Sequence, residues 1–179
     1  MWTELIRQLA EHACADPKEV RDLAFVRAFL EAHPEDAHLR AQQAGHLTGS
    51  GFVLDSSRTR VLLLHHGKLR RWLQPGGHGE GETNFREVAL REIREETGLT
   101  DLTPWPSTAL LDVDVHIIPA RKDEPEHPHL DLRYGFIAAP GAEARLSEES
   151  HDLRWFPLDA LPDGLDPATL RALRKLAAA

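Results

Sequence analysis

Three carboxylates, Glu92, Glu95 and Glu96, stand at i, i+3 and i+4 in the string Arg91-Glu92-Ile93-Arg94-Glu95-Glu96-Thr97-Gly98-Leu99. On a helix that spacing places them on one face. Phe85, Val88, Ala89 and Ile93 fall in or beside the same arc, so the glutamates lie on the side that should turn inward. Solvated glutamates belong on the opposite side. Clustered, half-buried carboxylates repel one another unless a cation neutralises them. Oxygen-only ligands suit a hard ion such as Mg²⁺. The competing reading is a solvated face laced by Glu87–Arg91 and Arg91–Glu95 pairs. The flanking residues favour the metal. Gly98 is placed to close the helix, with Leu99 packing after it. Upstream, Gln74-Pro75-Gly76-Gly77-His78-Gly79-Glu80-Gly81-Glu82 is a glycine-rich turn that lets backbone approach a ligand closely. Thr83 or Asn84 then serves as the N-cap. A loop–helix unit with carboxylates on its inner face is a metal–phosphate site in outline.

A second constellation lies downstream. Asp112, Asp114 and His116 alternate with apolar residues, as do His129, Asp131 and Arg133, so each trio shares one face of a strand. If the two strands pair through the loop Pro119–Pro128, the polar stripes lie side by side. A wet sheet face is the alternative; a sheet covered on both sides by helices favours a cleft lining. Asp114, His116 and His129 are therefore candidates for substrate contact, and Arg133 for a bidentate grip on phosphate. His78, inside the glycine turn, is a further candidate for phosphate contact. Lys68, Arg70 and Arg71 either steer phosphate or form a solvated basic turn. The chain has eleven histidines, but their spacings match no zinc pattern and no cysteine pair assists. Trp72 and Trp105 are candidates for base stacking, whereas Trp2 and Trp155 read as packing residues.

The elements that must position these residues fall into two parts. Residues 1–44 read as a helical arm. Trp2, Leu5, Ile6 and Leu9 recur at helical spacing. Asp16-Pro17-Lys18-Glu19 combines an N-cap, a proline at N1 and a glutamate at N3, and Val20, Leu23, Val26 and Leu30 form the next stripe. The arm either packs on the remainder or makes a homodimer contact. Residues 45–179 alternate differently. Strands are expected at Thr48–Leu54, Arg60–His65, Ala109–Ile118, Leu130–Ala138 and Leu153–Phe156, and Trp72-Leu73-Gln74 leads into the glycine loop. Asp166-Pro167 opens a last helix with Leu170, Leu173 and Leu176 on its stripe. Strands around one helix, with another at the end, suggest an α/β/α sandwich around a mixed sheet.

Composition bounds the partners. The 179 residues are 41% hydrophobic and 28% charged, enough for a domain with a real core. A net charge of −8 without a basic run argues against nucleic acid and anionic membrane. A negative protein acting on phosphates needs bound cations to bring them together. The single cysteine, Cys14, excludes an internal disulfide and fits a reducing, cytoplasmic setting. No signal peptide or apolar segment of membrane-spanning length is evident.

From Gly77 to Leu99 the chain resembles the Nudix hydrolase family, whose signature is G-x5-E-x7-R-E-U-x-E-E-x-G-U with U aliphatic. Gly77, Arg91, Glu92, Ile93, Glu95, Glu96, Gly98 and Leu99 match in register. The first glutamate of the pattern falls on Thr83, with Glu82 beside it, so the entry loop is one residue shorter. The resemblance implies an α/β Nudix fold. It implies a metal-dependent hydrolase that cleaves a small-molecule diphosphate (X–P–P, nucleoside-linked or related) by attack of water on phosphorus. It implies that Glu92, Glu95, Glu96 and the Gly77 backbone hold Mg²⁺ or Mn²⁺, that Glu92 and Glu96 are catalytic, and that Arg91 orients them. Many Nudix enzymes place another catalytic glutamate before a late strand, where Glu148 and Glu149 stand; Glu149 is that candidate. Markers that would name X are mostly absent. The alternative is a non-catalytic Nudix-fold sensor. An isomerase on this fold would need a pocket cysteine, and Cys14 lies in the helical arm.

Overall fold

The glycine turn and the helix behind it are braced by a mixed sheet. In the computed structural model, which describes residues 1–67, 69–120, 125–147 and 150–179, two helices come first: α1 (Thr3–Glu11) and α2 (Pro17–Ala32). Then follow β1 (His46–Leu54), β2 (Arg60–His66), β3 (Trp72–Leu73), β4 (Gly76–His78) and α3 (Phe85–Thr97). The chain ends with β5 (Leu102–Pro104), β6 (Asp112–Ile118), β7 (His127–Ala138), β8 (Ser150–Pro157) and α4 (Pro167–Ala177). The sheet runs β3-β2-β1-β7-β5, with β4 on β1, β6 on β7 and β8 on β2. β1 and β7 are parallel, His46 opposite His129 through Leu54 opposite Ile137. The β6–β7 hairpin expected from the polar stripes forms, with Asp112 opposite Arg133 and His116 opposite His129.

The two faces of β1 are covered by different helices, which explains why every residue of the strand is buried. Leu47, Gly49, Gly51 and Val53 turn to the α3 side, where Phe85, Val88 and Ile93 pack. A Cβ at Gly51 would come within 2.4 Å of the Ile93 side chain, and one at Gly49 within 2.8 Å of the Phe85 carbonyl. Those two glycines let α3 lie directly on the strand. Phe52 and Leu54 turn the other way, with Val61 and Leu63 of β2, against Ala172, Leu173 and Leu176 of α4. The layers are helix, sheet, helix.

The N-terminal arm packs on this core. Trp2, Leu5, Leu9, Leu23, Val26, Phe29 and Leu30 join the α3-side cluster. Its second task is polar. Glu19 accepts a hydrogen bond from the Val113 backbone N–H at 3.3 Å, and Asp22 from that of Val115 at 3.1 Å. Lys18 donates to the Val115 carbonyl. α2 thus covers the outer edge of β6, which would otherwise present unpaired backbone groups. This corrects the expected α2 stripe. Val20 is 55% exposed, while Glu19 and Asp22 are buried, because part of this helix meets a strand edge rather than an apolar face. Ile6 of α1 is likewise exposed.

Local signals mark the ends. Asp16 caps α2 by accepting from the Glu19 N–H, and Asp166 caps α4. Gly98 closes α3 in the left-handed region at φ 70°. The short strands β4 and β5 were not expected, since glycine and proline hide both. β6 begins at Asp112 rather than Ala109. Among the described residues no helix is long and apolar enough to cross a membrane.

Candidate active site

The glycine turn is fixed as a strand. Gly76, Gly77 and His78 pair with Ser50, Gly49 and Thr48 of β1. Gly77 therefore faces α3 like its partner Gly49. A Cβ on Gly77 would sit 2.5 Å from a Glu92 carboxylate oxygen. One on Gly76 would sit 2.3 Å from the Ser50 hydroxyl. Only glycine lets the carboxylates lie against this backbone. Glu96 Oε2 accepts from the Gly76 N–H at 3.0 Å. Glu92 and Glu96 are thereby brought onto β4, whereas Glu95, with 59% of its side chain exposed, leans outward toward Arg91.

Arg91 organises the group. Its Nε donates to Glu82 at 2.9 Å, one Nη to Glu92 at 2.8 Å, and the other to the His78 carbonyl at 2.7 Å. Glu82 thus does structural work although it sits one place off the signature position. Burial pushes the Glu92 carboxyl up to about 7; Arg91 opposes this and Glu95 adds to it. A half-buried carboxylate whose nearest cation does not offset its desolvation, beside two more carboxylates and a glycine strand, is a donor set that a hard divalent ion fits.

The downstream stripe is a different environment. The Arg133 guanidinium is buried and donates to Asp131 at 2.8 Å, Asp114 at 3.2 Å and Asp112 at 3.5 Å. From α4, Arg171 binds Asp112 at 2.7 Å. Lys175 binds Glu19, and Lys18 binds Asp114 at 2.7 Å. Burial pulls Asp114 up, but His116, Arg133 and Lys18 outweigh it and hold its carboxyl far below the ordinary range. Arg133, the candidate phosphate grip, lies in these surroundings. Its donors already face three carboxylates, and a phosphate would have to enter a closed, acid-lined site. Asp114 is likewise enclosed. His116 reaches Asp114 through Nδ1 at 3.0 Å.

His129 and His78 meet elsewhere. Next after Gly77, His78 turns its ring to the face of the sheet away from α3, 5.1 Å from His129. There both join His127, which sequence reasoning assigns no role beyond an ordinary surface or supporting residue, and His46, which it passes over. The His46 ring lies 4.7 to 5.0 Å from those of His129, His78 and His127. Burial pushes His46 down to about 4, with His78 and His127 adding and the Gln42 backbone opposing. His78 thus splits its contributions: its carbonyl serves Arg91, its ring the far face. Glu148, Glu149 and Lys68 lie outside the described residues.

Comparison with known proteins identifies the family and the fold. The family model for the NUDIX domain matches residues 45–176. A "probable DHNTP pyrophosphohydrolase" of Lactococcus lactis subsp. cremoris is 29% identical over 150 residues, spanning 83% of this chain and 86% of that one. The crystal structure of a NUDIX-family hydrolase from Clostridium perfringens superposes with a TM-score of 0.55 at 27% identity, covering 74% of this chain and 97% of that one. The E. coli dihydroneopterin triphosphate pyrophosphohydrolase shares the fold, with a TM-score of 0.56 at 13% identity, over 74% and 96% of the two chains.

Proposed function

The chain belongs to the Nudix family, and on that premise we propose that it is a metal-dependent pyrophosphohydrolase. It would cleave the diphosphate linkage of a nucleoside-linked or related small molecule by attack of water on phosphorus. The observation that carries the reading is the seating of Glu92 and Glu96 against the Gly76–Gly77 backbone. Glu92, Glu95 and Glu96, with the backbone of Gly77, would hold Mg²⁺ or Mn²⁺; Glu95 would swing inward from its exposed position. When bound there, a divalent ion neutralises phosphate charge and acidifies a bound water. The protein's own part is to hold Glu92 and Glu96 in register through Arg91, with Glu82 and the His78 carbonyl fixing Arg91 in turn. Glu92, half-buried beside the glycine strand, would accept a proton from the attacking water. Glu149 is a second candidate for that role.

The substrate class rests on the family and on the relatives' names. The Lactococcus relative is named for DHNTP. A pterin or nucleoside triphosphate is therefore the first class to try, ahead of nucleotide sugars and dinucleoside polyphosphates.

The test is cleavage of such a panel with Mg²⁺ or Mn²⁺, read by chromatography, with Glu96→Gln as control. Metal-dependent cleavage that falls by orders of magnitude in the variant supports the hydrolase. Near-normal turnover of the variant at saturating Mg²⁺ overturns the metal assignment. Ligand binding without cleavage across the panel would turn the reading to a sensor module.

A further inference from the structure

The histidines gathered on the far face of the sheet lie across it from the glutamates. We propose that His46, His127 and His129 are the ligands of a second metal site, for a borderline divalent transition ion of the zinc class. Each offers one ring nitrogen, and the three nitrogens lie within 4.8 Å of one another.

The placement is built into the sheet. His46 and His129 are register partners on β1 and β7. His127 is two residues before His129 on the same strand, so all three rings leave one face. That face is opposite α3. His46 is three residues before Gly49, whose missing side chain is what admits α3. The glutamates therefore lie on one side of the sheet and the imidazoles on the other.

The chemistry of each ring points to a metal. His46 is 1% exposed; the Gln42 backbone lies close enough to act on its ring, but no contact of full hydrogen-bond geometry reaches either ring nitrogen. An unanswered buried polar group is costly, and coordination answers one of the two ring nitrogens. In His127, Nδ1 lies 2.8 Å from the Pro125 carbonyl. A carbonyl only accepts, so Nδ1 carries the proton and Nε2 keeps its lone pair. A backbone carbonyl behind the ring is the usual support of a metal-bound histidine. The half-buried His129 gives the site its opening to solvent. Zinc–imidazole bonds of about 2.0–2.1 Å need nitrogens roughly 3.4 Å apart, a closure reached by small side-chain rotations. Three neutral nitrogens without a carboxylate favour Zn²⁺, Co²⁺, Ni²⁺ or Cu²⁺ over Mg²⁺. Three protein ligands also leave a coordination position open.

Among the described residues one other group brings three ligand atoms together, His12, Cys14 and Glu19. There the Lys175 ammonium already sits on Glu19, with Arg171 at 3.6 Å. Those cations fill the role an ion would have, and that cluster is an ion-pair network.

The test uses tag-free full-length protein dialysed against Zn²⁺ with Mg²⁺ in large excess, followed by elemental analysis. One tightly held zinc per chain is expected, kept in Glu96→Gln. His127→Gln and His129→Gln should each weaken zinc binding at least as much as the 10–100-fold that losing a supporting group typically costs. Thermal melts show whether each variant folds. Unaltered protein loaded with Co²⁺ should show the visible absorption of a low-coordinate nitrogen-ligated ion, which needs no variant. Failure of the unaltered protein to retain zinc overturns the proposal. So does zinc kept by both histidine variants, or zinc lost from Glu96→Gln while they retain it. The last outcome would place the ion at the glutamates and leave the hydrolytic reading standing.

Discussion

Gly77 shows how one absent side chain sets the geometry of a site. The atom its Cβ would meet is the end of the Glu92 side chain, not backbone. Gly77→Ala should therefore fold normally and push the Glu92 carboxylate aside. An ångström-scale misplacement of a reacting group costs on the order of 100-fold in rate, so kcat/KM is expected to fall by about that factor with the melting temperature nearly unchanged. A variant that keeps full activity would show that the Glu92 position does not matter. Arg133 behaves in the opposite way. It is locked among Asp112, Asp114 and Asp131, and removing one partner of a buried charged group costs about 3–5 kcal/mol. Arg133→Met is expected to lose stability of that order in denaturant titrations, while the folded fraction keeps its KM. A raised KM without a stability loss would restore the phosphate role. Sequence periodicity found the face on which Arg133 lies, but not that α2 and α4 would close over it.

At the scale of elements, α2 joins the arm to the sheet through Glu19. Burial alone would raise this carboxyl, but hydrogen bonds from His12, Lys175 and the Ala15 N–H outweigh it and hold it well below the ordinary carboxylate range. A group whose folded pKa is depressed stabilises the fold above its unfolded pKa, and that stability is lost as pH falls toward the folded value. Glu19→Gln should accordingly be less stable than the unaltered protein at pH 7, with the gap narrowing as pH drops below about 4.5. A gap independent of pH in urea titrations would show that the charge is not what holds the edge. Asp112 in the same network is pushed the other way by burial, which is why the variant, not the acid limb itself, assigns the effect. Much of α2 was legible beforehand. Its cap and its proline came from Asp16 and Pro17, because capping is local chemistry. That Glu19 would turn from N3 of a helix to the edge of β6 was not, because the Val113 and Val115 N–H groups it serves with Asp22 lie more than ninety residues away.

For the whole molecule, the division of labour runs across the sheet. One face carries α1, α2 and α3 with the glutamates; the other carries α4, the buried ion network and the histidines. The sequence by itself determined the first of these sites. Glu92, Glu95, Glu96, Arg91 and the glycine turn are close along the chain, and helical spacing converts that closeness into a shared face. It also determined the β6–β7 hairpin, since alternation and a connecting loop are local facts. Only the tertiary structure decided which polar stripe would be closed and which would stay a site. It put His46 of β1 beside His129 of β7, 83 residues later, in a parallel register that no spacing rule anticipates. It seated Glu82 on Arg91 despite its displaced position. The physical reason is common to all three. A helix or hairpin brings neighbours together through the backbone, whereas residues on distant strands meet only when hydrophobic burial fixes the register of the whole sheet.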